Sequence, residues 1–418
     1  MELEKLRKLH PQHWEKANAI RVLTLDAVAA ANSGHSGMPI GMADVATILF
    51  EKHLKFSTAQ PNWPDRDRFI LSAGHGSMLL YSIAYLCGYA DFDIDQLKNF
   101  RQLGKKTAGH PENFLSDVIE TTTGPLGQGI ANSVGFAIAE ESLRARFGRN
   151  IIDHHTFVIA GDGCLMEGVS QEAISLAGHL RLHKLIVFWD NNNITIDGTV
   201  DLTDSTDQKT RFEASSWEVI EIDGHDPEEI DSAISAAKKS EKPTMIACKT
   251  HIAIGTAAQD TSKGHGALTD PELIKDAREV YQWSHKPFDI PKSIKEQWEQ
   301  AGLEGHKAFK RWQSNLENLS NSKRKEFERI FSGDAPKKLT SAIRKFKKES
   351  SAASPTIATR KSSELTLNAI NSFMQETIGG SADLTGSNNT KSNDMKIFDK
   401  NNRKGRYIHY GIREHAMA

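Results

Sequence analysis

Cysteine is scarce in this sequence, and long hydrophobic runs are missing from it. The three cysteines among 418 residues, Cys87, Cys164 and Cys248, are spaced too widely for a disulfide framework or a zinc site. No apolar run approaches the roughly 18 residues that span a bilayer, so we expect no membrane partner. The opening residues, MELEKLRKLH, lack the apolar core of a secretory signal. Together these absences predict a protein of the reducing cytoplasm.

Charge of one sign is not in excess either. The formal net charge is -2, because 52 Lys and Arg residues oppose 54 Asp and Glu residues that are interspersed along the chain. This balance argues against nucleic acid as a partner. The length exceeds that of one ordinary domain and predicts two or three. These properties together are consistent with a cytoplasmic enzyme or a binding protein.

What the sequence does contain is a regular alternation of strand and helix patterns. We predict strands at 68–72, 155–160, 184–189, 217–222 and 244–249, and helices at 15–31, 42–53, 77–87, 130–146, 167–179 and 227–239. Strands that alternate with helices pair in parallel and are covered by helices on both faces. The sequence therefore predicts an α/β fold with a parallel sheet flanked by helices.

The pattern changes after about residue 271. Charged helical segments run to about residue 348, and a linker rich in Ser and Ala follows at 349–355. Beyond it we predict a helix at 361–377, a strand at 378–383 and a strand at 406–410 that turns at Gly411 into a helix start at 412–417. We therefore expect a first domain at 1–320, a helical and linker segment at 321–355, and the start of a second α/β domain at 356–418.

Oxygen-bearing groups follow two neighbouring strands of the predicted sheet. The segment GDGCLMEG places Asp162 after one strand, and the segment DNNNI places Asn192 and Ile194 after the next. A carboxylate, an amide oxygen and a backbone carbonyl suit Mg²⁺ or Ca²⁺ that also holds phosphate oxygens. An Asp-Gly pair alone marks a turn far more often than a site, but the two segments have the spacing of a single β-α-β unit. Their coupling predicts a site for a metal and a phosphate.

Several of the seventeen histidines are flanked by glycine. His35, His75, His110 and His265 lie in the segments SGHSG, AGHG, AGHP and KGHG. Imidazole exchanges protons near neutral pH and can hydrogen-bond to the hydroxyls and carbonyls of sugar-like ligands. Any one of them also fits an ordinary loop, and no His-x-x-x-His spacing supports metal ligation. As a group they predict a polar binding site.

Two residues beyond the linker are suited to bind a phosphate group. Arg360 lies just past the linker, and Ser387 lies in the segment ADLTGSN. A guanidinium and a hydroxyl both donate hydrogen bonds to phosphate oxygens. Each of them alone fits an exposed or structural position better than a phosphate site.

Taken in order, these segments resemble transketolase over essentially the whole chain. The motifs that carry the resemblance are ANSGHSGMPIG, LSAGHGSMLLYS, GHPE, TTGPLGQG, GDGCLMEG, SLAGHL, DNNNITIDG, KGHGAL, ATRKSSE, GGSADLTGSN and YGIREHAM. A GDG segment followed one β-α unit later by Asn is shared by thiamine diphosphate enzymes. The remaining motifs narrow the resemblance to the transketolase family.

The resemblance implies a thiamine diphosphate-binding fold and a ketol transfer. A two-carbon unit would move from a ketose phosphate to an aldose phosphate in the pentose phosphate pathway. The implied cofactors are thiamine diphosphate, which stabilises the carbanion, and a divalent cation such as Mg²⁺ or Ca²⁺. The implied assembly is a cytoplasmic homodimer with its active sites at the subunit interface.

The resemblance also implies roles for individual residues. Those implied for the metal are Asp162, Asn192 and Ile194. Those implied for the cofactor are His75, Gly124, Leu126, Asp162, Gly163, Asn192, His265 and Glu414. Those implied for the substrate are His35, His110, His265, Arg360, Asp383 and Ser387. Those implied in catalysis are His35, His110, Glu167, His265 and Glu414.

Glu414 gains a specific role from the resemblance. In this family the equivalent carboxyl contacts the aminopyrimidine ring of a cofactor bound by the partner subunit and activates it. Partial burial would raise the pKa of such a carboxyl and assist this role. Glu167 would belong to a proton path between the two sites of the dimer. Without the resemblance, Glu414 fits a helix cap that pairs with Arg413.

The resemblance further implies a sequence that ends inside the pyrimidine-binding domain, so we expect impaired or absent turnover from these 418 residues alone. One alternative is half of a split enzyme. Another is a non-catalytic module that keeps affinity for thiamine diphosphate and metal. A deoxyxylulose-phosphate synthase or a dihydroxyacetone synthase is a related possibility, and the SADLTGSN and GHPE segments favour transketolase over the former.

Overall fold

Five parallel strands form the central sheet. They are β1 (Arg68–Leu71), β2 (Thr156–Gly161), β3 (Leu185–Asn191), β4 (Glu218–Asp223) and β5 (Thr244–Lys249), and their spatial order is β1-β2-β3-β5-β4. All neighbouring strands pair in parallel. The central strands β2, β3 and β5 are buried on both faces, which explains why they read as nearly continuous runs of apolar residues. The predicted α/β fold is confirmed.

The computed structural model describes all residues from Met1 to Ala418, and these divide into two compact units. The first unit comprises Met1–Ala137 and His154–Arg311, and the second comprises Ile138–Asp153 and Trp312–Ala418. Two long helices, at 128–147 and 292–317, contribute to both units. None of the helices is long and apolar enough to cross a membrane.

Fourteen helices accompany the sheet along the first part of the chain. They are α1 (Leu3–Leu9), α2 (Pro11–Ala31), α3 (Gly37–Gly41), α4 (Ala43–Ile48), α5 (Met78–Cys87), α6 (Ile94–Lys98), α7 (Gln128–Phe147), α8 (Asp162–Met166), α9 (Gly168–Leu180), α10 (Gln208–Ala214), α11 (Pro227–Ala237), α12 (Ser262–His265), α13 (Pro271–Val280) and α14 (Lys292–Glu317). Helix α8 begins directly after β2, where the sequence predicted a break before a helix near residue 167. Asp162 is therefore the first residue of a helix at the end of a strand.

A fully buried carboxylate joins three segments of the first unit. Asp44 on α4 accepts hydrogen bonds from two residues of α2, Arg21 at 2.5 Å and His13 at 2.9 Å. It also accepts one from His225 at 2.7 Å. Burial alone would raise the pKa of Asp44, but the Arg21 guanidinium and the two imidazoles hold it well below its usual range. A buried charge is tolerated only when it is paired, and here a permanent cation pairs it.

The second unit contains five further helices and a small parallel sheet. The helices are α15 (Asn321–Ser332), α16 (Leu339–Ala353), α17 (Thr359–Asn371), α18 (Thr385–Asn388) and α19 (Glu414–Met417), and the strands are β6 (Gly379–Ser381) and β7 (Tyr407–His409). Because β6 and β7 are parallel, the segments that follow them leave the sheet at the same edge. Within this unit Arg403 pairs with Glu141 at 3.1 Å, and Arg146 pairs with Glu326.

The predicted helix at 361–377 is corrected by the structure. Helix α17 begins at Thr359 and ends at Asn371, six residues earlier than the pattern indicated. The Arg406 guanidinium donates to the carbonyl oxygens of Met374 at 3.0 Å and Asn371 at 3.3 Å. These carbonyls are satisfied by a side chain distant in sequence, and the chain is therefore free to turn instead of extending the helix.

Candidate functional site

The ends of β2 and β3 meet at one edge of the central sheet. In the strand register Gly161 lies beside Asp190, so the residues that follow these two strands emerge next to each other. Asp162, Asn192 and Ile194 line one cavity of about 500 Å³. The structure thus brings together all three residues that the sequence proposed as metal ligands.

Asp162 is buried at this edge and accepts one hydrogen bond from an indole. The Trp189 Nε1–H donates to Asp162 Oδ1 at 3.0 Å, and both side chains are over nine-tenths buried. Burial raises the pKa of Asp162 to about 6, and the Trp189 hydrogen bond opposes that shift only in part. Asp162 forms no ion pair with a cationic side chain of the chain. A buried carboxylate without a cation nearby is suited to bind one.

A second buried carboxylate fixes the amide of Asn192. Asp190 Oδ2 accepts from the Asn192 Nδ2 group at 2.9 Å, and the Thr250 hydroxyl donates to Asp190 Oδ1. The Asn192 amide oxygen in turn accepts the Ile194 N–H at 2.9 Å. Burial raises the pKa of Asp190 to about 7, in spite of the hydrogen bond from Thr250. The amide oxygen of Asn192 is thereby directed away from Asp190.

The chemistry of these donors fits a hard divalent cation. One carboxylate, one amide oxygen and one backbone carbonyl are oxygen ligands of the kind that Mg²⁺ and Ca²⁺ prefer. No group of three or more His, Cys, Asp or Glu side chains is arranged to hold a metal. The protein alone therefore supplies too few charged ligands, and an anionic ligand in the cavity would complete the coordination.

Four histidines meet in the same cavity. The ring of His35 lies 5.1 Å from His75, 5.5 Å from His265 and 6.5 Å from His110, between centroids. His75 and His265 stack with centroids 5.0 Å apart. These are the glycine-flanked histidines of the sequence, and all four line the cavity beside the oxygen donors.

The four imidazoles are held in the neutral form at neutral pH. Burial, helped by neighbouring imidazoles, lowers the pKa of His35 to about 4 and that of His75 to about 3. Burial also lowers the pKa of His110 and of His265, and the Arg101 guanidinium adds to the effect at His110. The Nδ1 atom of His35 is buried without a hydrogen-bond partner in the protein. Neutral rings offer both a donor and an acceptor to a polar ligand.

Glycines bring the backbone close to the walls of the cavity. Gly124 has a φ of +156°, and a Cβ there would lie 3.4 Å from the His110 ring. A Cβ on Gly163 would approach the Leu126 side chain to 2.7 Å. Gly124, Leu126 and Gly163 all line the cavity, and the cofactor contacts that the resemblance implied for them remain predictions.

Glu167 lies outside this cavity. It precedes α9, its side chain is exposed, and its Cβ faces Gly127. The structure therefore does not bring Glu167 together with the histidines. Its implied part in a proton path remains a prediction.

The remaining residues implied by the sequence belong to the second unit. Arg360 lies in the first turn of α17, Asp383 and Ser387 follow β6, and Glu414 begins α19 after β7. All four side chains are exposed. Asp383, Ser387 and Glu414 leave the small sheet at the same edge, because β6 and β7 are parallel.

The structure gives the Arg413 side chain a backbone partner, whereas the sequence suggested that Arg413 pairs with Glu414. The Arg413 guanidinium donates to the Tyr410 carbonyl at 2.6 Å, across the turn at Gly411. Glu414 is the first residue of a four-residue helix, and no side-chain cap is formed there. The roles that the sequence assigned to these residues remain predictions.

Sequence reasoning missed several residues that shape the site. Asp190 and Thr250 fix the Asn192 amide, Trp189 holds Asp162, and Ile252 lines the cavity after β5. The signal for Asp190 was present, because a carboxylate inside a buried strand needs a partner. Nothing in the sequence pattern indicated that the Trp189 indole turns towards Asp162.

Comparison with protein families agrees with this site. Residues 12–336 match the family described as transketolase, thiamine diphosphate binding domain, and residues 355–418 match the transketolase pyrimidine binding domain. The fold and the site thus define a thiamine diphosphate-binding α/β protein. Within that class, the chain belongs to the transketolase family.

Individual relatives support the same assignment. The chain is 57% identical to a transketolase of Rhodobacter capsulatus over 419 residues, which cover 100% of this chain and 62% of the relative. It is 52% identical to a transketolase of Cereibacter sphaeroides, over 97% of this chain and 62% of that relative. The chain therefore spans less than two thirds of these relatives.

Solved structures show the same similarity. Transketolase of Pichia stipitis in complex with sedoheptulose 7-phosphate superimposes with a TM-score of 0.91 and 40% identity, over 97% of this chain and 61% of that one. Transketolase of Campylobacter jejuni gives a TM-score of 0.88 and 42% identity, over 97% of this chain and 62% of that one.

Proposed function

We propose that this chain provides the diphosphate-binding part of an enzyme that transfers a two-carbon ketol unit from a ketose phosphate to an aldose phosphate. The observation that carries the proposal is a single cavity in which an oxygen donor set for a divalent cation lies beside four neutral histidines. The Pichia stipitis enzyme was solved with sedoheptulose 7-phosphate, and a variant of it with xylulose 5-phosphate. We extend these substrate classes to the present protein.

Asp162, Asn192 and the Ile194 carbonyl would hold Mg²⁺, Ca²⁺ or another divalent cation together with the diphosphate of thiamine diphosphate. Once bound, thiamine diphosphate supplies the electron sink that cleavage of a ketose carbon–carbon bond requires. Gly124, Leu126 and Gly163 line the same cavity and leave room for the bound group.

The histidines bind and orient the substrate in this proposal. Because His35, His110 and His265 are neutral at neutral pH, their nitrogens can both accept and donate hydrogen bonds to sugar hydroxyls and carbonyls. The buried Nδ1 of His35, which lacks a partner in the protein, would be satisfied by such a ligand. His75, the most deeply buried of the four, would contact the diphosphate side of the cavity.

The second unit would supply the groups that bind the sugar phosphate. An exposed guanidinium and hydroxyl, those of Arg360 and Ser387, suit a phosphate, and Asp383 would support the substrate from the same loop as Ser387. Glu414 would act on a cofactor held by the partner subunit of a homodimer, and Glu167 would join the two sites by a proton path. We also propose a cytoplasmic location and a place in the pentose phosphate pathway.

A transfer assay tests the proposal. Purified protein, supplied with xylulose 5-phosphate and an aldose phosphate, should show no release of the shortened aldose phosphate unless both thiamine diphosphate and a divalent cation are present. Turnover that persists after both have been removed by dialysis against EDTA would contradict it.

A further inference from the structure

The side chains that would ligate the cation are held by hydrogen bonds with residues outside the proposed donor set. Trp189 and Asp190 are adjacent on β3 and therefore point to opposite faces of the sheet. Trp189 contacts Asp162 after β2, and Asp190 contacts Asn192 beyond the end of its own strand. Two adjacent residues at the end of β3 therefore contact both side chains of the donor set, Asp162 and Asn192.

Trp189 restricts the carboxylate of Asp162. Its Nε1–H donates to Oδ1 at 3.0 Å, which fixes the rotation of the carboxylate and leaves Oδ2 for another partner. An indole N–H carries no charge, so the negative charge of the carboxylate is not neutralised. Asp44 shows the opposite arrangement in the same unit, because the Arg21 guanidinium pairs with it permanently.

Asp190 restricts the amide of Asn192 in the complementary way. The group that donates to Asp190 Oδ2 at 2.9 Å is the NH₂ of Asn192. The amide oxygen must then point the other way, where it meets the Ile194 N–H. The Thr250 hydroxyl, from the end of β5, holds the other oxygen of Asp190 and prevents its rotation.

We propose that Trp189, Asp190 and Thr250 are positioning residues that orient the Asp162 and Asn192 side chains for a divalent cation before it binds. This inference rests on the proposed function, because the cation belongs to that site. Partners that orient metal ligands contribute about 10–100-fold to metal affinity in other proteins. Mg²⁺ demands near-ideal octahedral geometry, whereas Ca²⁺ tolerates irregular geometry. Loss of the support should therefore weaken Mg²⁺ more than Ca²⁺.

Calorimetric titration of MgCl₂ and CaCl₂ into the whole protein, with thiamine diphosphate present throughout, tests the proposal. Trp189→Phe removes the indole N–H and keeps an aromatic ring, and we expect about tenfold weaker Mg²⁺ binding with a smaller loss for Ca²⁺. Trp217→Phe is the matched control. Trp217 is also buried and donates its Nε1–H at 2.9 Å, but to the Ile174 carbonyl, and neither residue lines the cavity.

Thr250→Val provides a second variant that leaves the tryptophans intact. It removes the hydroxyl that holds Asp190, and we expect the same preferential loss of Mg²⁺ affinity. The inference alone is overturned if wild type binds Mg²⁺ and both variants bind it as tightly, or if they lose Mg²⁺ and Ca²⁺ affinity in equal proportion. If wild type binds neither cation, the proposed metal site fails and the inference fails with it.

Discussion

At the scale of single residues, the site combines buried carboxylates with buried imidazoles. Burial disfavours the charged form of both kinds of group. His75 illustrates this, because burial and the adjacent histidines lower its pKa from 6.5 to about 3. Between these two values the unfolded chain binds a proton that the folded protein does not. The free energy of unfolding therefore falls as the pH falls below 6.5, since the depressed pKa belongs to the folded state.

Replacing His75 should reduce this dependence on pH. We expect wild type to lose about 2 kcal/mol between pH 7.5 and pH 5 through His75 alone, because the unfolded imidazole titrates near 6.5. In His75→Gln this part of the loss should disappear, which urea unfolding at several pH values would measure. His179→Gln, which changes an exposed histidine on α9, is the control. Equal slopes for His75→Gln and wild type would contradict the burial of a neutral ring.

Asp162 presents the converse case. Burial raises the pKa of Asp162 from 3.8 to about 6, so ionisation at pH 7.5 destabilises the metal-free protein. Asp162→Asn keeps the acceptor for Trp189 and removes the charge. We expect it to raise the free energy of unfolding in EDTA at pH 7.5 by about 1–3 kcal/mol.

The measurement for Asp162→Asn is denaturant unfolding in EDTA at two pH values. The gain should shrink at pH 5, where the wild-type carboxyl is mostly protonated in the folded state. A destabilised Asp162→Asn protein at pH 7.5 would show that the carboxylate charge is compensated by the protein itself.

At the scale of elements, two helical glycines differ in whether their surroundings leave space for a side chain. Gly178 on α9 lies against the chain before β4, and a Cβ there would meet the Ser215 carbonyl oxygen at 1.7 Å. Gly135 on α7 is exposed, and a Cβ there would meet nothing within 4 Å. The same substitution should therefore have opposite effects at the two positions.

We expect Gly135→Ala to raise the free energy of unfolding by about 0.5–1 kcal/mol, because alanine loses less backbone entropy in a helix. Gly178→Ala should lower it by about 1–3 kcal/mol, because the backbone must shift to admit the methyl group. Thermal unfolding of both variants beside wild type gives the comparison. A stabilised Gly178→Ala protein would contradict the packing of α9 against the segment at Ser215.

Local patterns were sufficient to predict most elements, and the reason lies in burial. Strands β2, β3 and β5 read directly from their apolar runs, since both faces are covered. The end of α17 could not be read in this way, because Arg406 donates to the Asn371 carbonyl at the helix end and to the Met374 carbonyl just past it, from a position 32 residues beyond Met374. Contacts between distant segments carry no local signal in a single sequence.

The same distinction between local patterns and distant contacts applies to the residues of the site. Asp162 and Asn192 could be paired from their positions after consecutive strands, because parallel strands end at the same edge. The prediction that His35, His75, His110 and His265 lie in one site rested only on their shared glycine-flanked setting and on the family resemblance. The hydrogen bond from Trp189 to Asp162 depends on a side-chain orientation that no residue pattern specifies.

At the scale of the whole molecule, the implied functional residues fall into two units. The first contains the proposed oxygen donors and the four histidines, and the second contains Arg360, Asp383, Ser387 and Glu414. All residues that line the cavity belong to the first unit. Metal-dependent cofactor binding is therefore the most direct property to measure, and it does not depend on turnover.

The decisive measurement is calorimetric titration of thiamine diphosphate into the protein with Mg²⁺ and, separately, with EDTA. We expect binding with Mg²⁺, none detectable with EDTA, and at least about tenfold weaker binding by Asp162→Asn with Mg²⁺, because that variant removes the only charged protein ligand of the cation. Equal binding in EDTA and in Mg²⁺, or undiminished binding by Asp162→Asn, would contradict the assignment of this cavity as the metal–diphosphate site.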